Sequence, residues 1–146
     1  MGVKLGMEAK LYRNSGTHAA PVWVELANVR DVTLNLETGE ADVTVRANGG
    51  WKATVGTLKD AGIEFEMVWD TADLGFAALQ SAFFNNQPID LAAMDGPIAV
   101  SGAQGLRATM SVMKFAREEP LSEAIKVKVT CKPTYAANPP QWLVVP

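Results

Sequence analysis

The feature that most constrains this chain is the alternation of apolar and polar residues over one strand-length stretch after another. Val22, Val24 and Leu26 alternate with Trp23 and Glu25, and Val32, Leu34 and Leu36 alternate with Thr33, Asn35 and Glu37. Ala41, Val43 and Val45 then alternate with Asp42, Thr44 and Arg46. Ile63, Phe65 and Met67 stand opposite Glu64 and Glu66, and Leu106, Ala108, Met110 and Val112 opposite Arg107, Thr109 and Ser111. Ile125, Val127 and Val129 against Lys126, Lys128 and Thr130 complete the series. A period of two buries one face of a strand and wets the other, which is the habit of antiparallel sheets. The expected fold class is mainly β.

Within that series, Thr38-Gly39-Glu40 reads as a short turn joining residues 31–37 to 41–46, which predicts a β-hairpin. One segment has a different period. Leu74, Phe76, Leu79, Phe83 and Phe84 recur mostly at three- and four-residue spacings, predicting a single helix within 71–86. Asp73 or Thr71 caps its start and Asn85-Asn86-Gln87-Pro88 ends it. Its apolar stripe is expected to pack on the sheet. Two stretches read as loops, the glycine-rich Ala47 to Thr54 and the turn-rich Asp95 to Gly105. No internal repeat or boundary interrupts the pattern. The 146 residues therefore read as a single domain, with 133–146 an extended, proline-rich tail outside the core.

Composition narrows the function classes. No apolar run reaches the roughly 20 residues of a spanning helix, so membrane insertion is not expected. The start Met1-Gly2-Val3-Lys4-Leu5-Gly6 has no apolar h-region, and Gly6 stands where a myristoylation motif needs Ser or Thr. A net charge of −3 argues against binding nucleic acid by neutralising phosphates. It is compatible with nucleic acid passing nearby, because an acidic surface repels it. The one cysteine, Cys131, cannot form an internal disulfide, reads as a half-buried strand residue, and fits synthesis in the cytoplasm.

The sequence carries no recognisable catalytic constellation. The one histidine, His18, sits in the polar stretch after Asn14-Ser15-Gly16-Thr17, and His and Cys together supply only two candidate metal ligands. Glu64 and Glu66 share a strand face, as do Lys126 and Lys128, and both pairs read as wet faces or as charges opposed across neighbouring strands. Gly102-Ala103-Gln104-Gly105 lacks the Lys-Ser/Thr of a phosphate-cradling loop. No catalytic residue, metal or cofactor is expected.

A chain without chemistry works through its surface. Trp51, in a glycine-flanked loop with Asn48, Gly49, Gly50 and Lys52, is either folded back on its own core or an anchor for a partner subunit. Trp23 points away from Val22 and Val24, so that strand is covered on both faces or meets another chain there.

The run from Asn28 to Leu36, followed by Gly39 to Arg46, resembles the first hairpin of the phage major tail tube protein family. The resemblance continues through Trp51, Thr57-Leu58-Lys59-Asp60, Ile63 to Met67, Ile89-Asp90-Leu91-Ala92 and Gln104-Gly105, and closes at Val127 to Pro133. It implies a β-sandwich or barrel-like domain with one flanking helix, stacking as hexameric rings into the hollow tube of a phage tail. Each subunit would lend about four strands to a common inner barrel. About twenty-four strands at about 4.8 Å, tilted about 40°, give a backbone diameter near 48 Å, which passes a DNA duplex. On this reading Thr33, Asn35, Glu37, Asp42 and Thr44 face the lumen, and the loop carrying Trp51 and Lys52 contacts the adjacent subunit or ring. The implied partners are further copies of the chain and other tail proteins such as a terminator and a tip initiator, with DNA passing unbound. The assembled protein would sit in the virion tail. Two other readings stay open: the tube of a phage-derived injection or secretion machine, and a carbohydrate-binding β-sandwich using Trp23, Trp51 and Trp142 as sugar platforms.

Overall fold

The computed structural model describes residues 2–146. Its strands are β1 Lys10–Asn14, β2 Trp23–Glu25, β3 Val29–Asp42, β4 Thr54–Val68, β5 Ile89–Met94, β6 Gln104–Glu118, β7 Lys126–Pro133 and β8 Gln141–Val144. The one helix, α1, spans Leu74–Phe84. All strand pairs are antiparallel, in the order β2-β1-β5-β6-β7-β4-β3, with β8 alongside β6. The sheet does not close. The mainly β expectation and the single helix both hold.

Alternation sorts the residues of β4, β6 and β7 as expected. Ile63 pairs with Cys131, Phe65 with Val129 and Met67 with Val127, all on one face. These side chains are buried and join Leu79, Phe76, Leu91 and Met110 in the main core. Helix α1 closes that core from one side. Asp73 caps it by accepting a hydrogen bond from the Phe76 N–H at 2.9 Å, and Asn86, with φ of 51°, turns the chain away at the other end. Phe76 meets Trp69 edge-on with centroids 4.8 Å apart, and Phe83 stacks on Phe115 at 5.9 Å. The expected stripe is only half used, since Leu74 and Phe84 are exposed.

The predicted hairpin at Thr38-Gly39-Glu40 is not there. Residues 29–42 are one continuous strand, whose partner is β4, and the chain reverses only at 43–53. Gly39 sits instead at a β-bulge, where Thr38 pairs with Lys59 and Glu40 with Gly56, leaving one extra residue on β4. A side chain at 39 would meet the Thr57 hydroxyl at 2.6 Å, so the glycine answers a close cross-strand approach. Thr54, expected as the end of a loop, instead begins β4, and residues 55–60, which showed no alternation before Ile63, belong to its first half.

Alternation marks no strand at β1, β5 or β8. β5 is buried from Leu91 to Met94 on both faces, so it shows no alternation. The tail was expected outside the core, yet β8 pairs Gln104 to Arg107 of β6 with Val144 to Gln141. Leu143 and Val145 pack on a second, smaller cluster of Tyr12, Ala92, Met94 and Ala103. That cluster covers the other face of β6 and explains why Arg107, expected in water, is buried.

Candidate assembly interface

A polar surface runs across the outer face of four neighbouring strands, β3-β4-β7-β6. Register places Thr33 beside Glu64, Glu64 beside Thr130 and Thr130 beside Lys114 in one row. The next rows set Asn35 by Gly62 and Glu37 by Asp60. Three of the expected lumen residues, Thr33, Asn35 and Glu37, thus lie together on this face. Asp42 and Thr44 do not. Asp42 falls on the opposite side of β3 by alternation, and Thr44 lies beyond the strand in the turn. There Thr44, through its side chain and then its backbone N–H at 2.9 Å, holds the Asp42 carboxyl below the usual carboxylate range.

The polar face is also a field of opposed charges. Lys126 meets Glu66 at 3.1 Å and Glu123 at 3.8 Å, and Lys128 meets Glu118 at 3.1 Å. The Glu66 carboxylate, by hydrogen bond and then by charge, holds Lys126 above its ordinary range. The expected opposed charges form for Glu66, Lys126 and Lys128, whereas Glu64 lies between Thr33 and Thr130 with no ion pair among the described residues and reads as part of a wet face. Counting Asp31, Glu37, Asp60, Glu64, Glu66 and Glu118 against Lys114, Lys126, Lys128 and Lys132, six carboxylates face four lysines, a net of −2.

This four-stranded segment has two open edges. β3 ends the sheet. On the far side, β5 pairs with β6 only from Gly105 to Met110, so Ser111 to Glu118 has a strand partner in β7 alone. Unpaired N–H and C=O groups on both edges are templates for further strands.

β3 and β4 run past the core as a two-stranded arm. From Leu36 to Asp60 only Ala41, Asn48 and Ala53 are even half-buried. A 3-10 turn at Arg46–Asn48 and two glycines at positive φ, Gly49 at 64° and Gly50 at 87°, form the tip. Trp51 stands there 79% exposed, between Lys52 and the glycines, with Val43, Val45, Val55 and Leu58 also exposed. It is not folded back on its own core. Trp23 is different. Half-buried, it packs on the smaller cluster, and the Arg107 guanidinium lies 4.9 Å from its ring centroid.

Arg107 anchors an internal network that the sequence did not announce. It reaches Asp90 at 2.8 Å and donates to the His18 carbonyl at 3.1 Å, and Asn14 donates to Asp90 at 3.0 Å. His18 thus enters through its backbone. Cys131 is sealed in the core, where burial pushes its thiol up to about 12. Among the described residues, no three His, Cys, Asp or Glu side chains gather as a metal-binding group, and no helix is long and apolar enough to cross a membrane.

No protein-family model and no curated protein matches the sequence. Solved structures do match. A chain from the tail of an empty GTA particle, refined with C6 helical symmetry, is 14% identical at a TM-score of 0.72, over 99% of this chain and 100% of that one. The SPP1 tail tube matches at 11% identity and a TM-score of 0.70, over 89% and 75%. The chain has the tail tube fold. A chain of the anti-feeding prophage baseplate shares the tail tube fold more loosely, at 7% identity and a TM-score of 0.56, over 94% and 91%.

Proposed function

We propose that this chain is a structural subunit that self-assembles into stacked hexameric rings, forming the hollow tube of a phage tail through which DNA passes. The observation that carries this reading is the four-stranded segment with a polar outer face, an apolar inner face and an open edge on each side. A closed barrel of repeated segments needs all three: edges that can be joined, a face that tolerates water, and a face with its own core. Six-fold symmetry in the GTA tail supports the ring number.

With the polar face turned inward, each subunit by itself presents a net of −2 to the bore, before contacts between copies are counted. Such a surface repels phosphates and lets a duplex slide without adhering. Asp90, Arg107 and their partners are then scaffold, and the subunit has no catalytic role. Its partners are other copies and the remaining tail proteins, and its place is the virion tail.

A second reading, a protein-conducting tube of a phage-derived injection machine, is supported by the fold shared with the anti-feeding prophage baseplate. The carbohydrate-binding reading loses one of its platforms, because Arg107 already occupies the face of Trp23. Negative-stain electron microscopy across a concentration series, with light scattering beside it, tests the proposal. Hollow tubes or rings of uniform width are the expected result. Monomers at every concentration, together with binding in a glycan screen, would overturn it.

A further inference from the structure

The arm tip and one groove on the same chain are complementary. The groove, about 730 Å³, runs between the base of the arm and the C-terminal strand and is walled mainly by apolar groups, among them Leu36, Leu106, Pro133, Pro140 and Trp142. That volume falls among clefts of roughly 300–1,000 Å³ that take drug-sized bodies, which leaves room for an indole together with its neighbours on a loop. Its rim carries Glu37 and Asp60 against Lys59, a net of −1. The tip carries Trp51 flanked by Arg46 and Lys52, a net of +2.

The two cannot meet within one molecule. Six strand residues separate Leu36 at the groove from Asp42 at the end of the paired arm, about 20 Å of extended ribbon at about 3.3 Å per residue. A paired two-stranded ribbon cannot double back over that length. The occupant must come from another molecule, and a second copy supplies an aromatic anchor with the matching charge.

Resting on the tube reading, we infer that the arm tip of one copy docks head-to-tail in this groove of the next, with Trp51 in the apolar trough and Lys52 and Arg46 against Glu37 and Asp60. A head-to-tail contact between unlike patches propagates from copy to copy, as a growing tube requires. It also gives residues 133–146 a role, since Pro133, Pro140 and Trp142 form the receiving wall.

Site-directed cross-linking of the full chain tests this. Single variants Lys52→Cys and Glu37→Cys lie at exposed positions, and Cys131 is buried and silent. They are mixed, oxidised mildly, and imaged in parallel by electron microscopy. The expected result is covalent dimer at least tenfold above a control mixture of Lys52→Cys with Thr33→Cys. Tubes that form while the two mixtures give equal dimer would overturn the docking and leave the tube reading standing. Equal dimer in the two mixtures without any assembly, up to the solubility limit, would also overturn the docking, and binding in the glycan screen would then overturn the tube reading with it. As a second measurement, Lys52→Glu and Glu37→Lys should each weaken assembly at least threefold, and the two combined in one chain should restore it. Failure of the combined variant to recover, with each single variant folded by denaturation, counts against the pairing.

Discussion

Replacing Trp51 with alanine separates an assembly anchor from a folding residue. An aromatic side chain carries about 150–250 Å² of surface, and Trp51 is 79% exposed, so about 160 Å² is free to be covered by a partner. At about 25 cal/mol per Å² this is about 4 kcal/mol, and about 3 kcal/mol once the area kept by alanine is discounted. With tenfold per 1.4 kcal/mol, the critical concentration for assembly should rise roughly 100-fold. Sedimentation of assembled from free protein, over a dilution series, reads that concentration directly. Chemical denaturation of the monomer is the companion assay, and its midpoint should correspond to a change within about 0.5 kcal/mol, because the side chain touches no core. A critical concentration within threefold of the parent, or a loss located in the monomer's stability, would refute the reasoning.

The remaining predictions concern the scaffold. Arg107→Ala leaves the half-buried Asp90 without its charge partner and should destabilise the monomer by about 3 kcal/mol in urea denaturation. Gly105→Ala should be at least as damaging as the upper end of overpacking, about 3 kcal/mol, because a Cβ there would collide with the backbone of Ala93 across the β5–β6 ladder; thermal denaturation measures it. Cys131 has its folded pKa raised, from 9.0 to about 12, so its contribution is fully present below pH 9 and is lost as pH rises towards 12. Stability measured over that window should therefore fall more in the parent than in Cys131→Ala. The same burial should keep the thiol unreactive to maleimide until denaturant exposes it.

How much of this was legible depends on whether a residue answers to its own core. Ile63, Phe65 and Met67 alternate because one side of β4 is buried and the other wet, and their face was read correctly. β5 has cover on both sides, so Leu91, Ala92 and Ala93 form an apolar run with no period to read. Arg107 followed the alternation and still proved buried, because a second cluster lies over that face of β6 and Asp90 waits there, 17 residues away in sequence. The hairpin error is the most instructive. Val32, Leu34 and Leu36 occupy even positions, while Ala41, Val43 and Val45 occupy odd ones, and Gly39 falls between. A parity change around a glycine is what a turn looks like. Here β3 has left the core before the change, so no core of its own holds its apolar side chains to one face. The same fact displaced Asp42 and Thr44 from the polar face that Thr33, Asn35 and Glu37 share.

The arm also has a kinetic meaning. With nothing packed beneath residues 36–60, its ladder opens locally at far less than the global cost. Its amides should exchange quickly in the free subunit and slowly once a neighbour covers them, so deuterium uptake there would count free against assembled chains in a mixture. The tip also offers Arg46 and Lys52 to a trypsin-like protease. Cleavage there would cut the arm while leaving the globular part intact. An unincorporated pool could then be retired by a single nick, while chains already in place would be shielded.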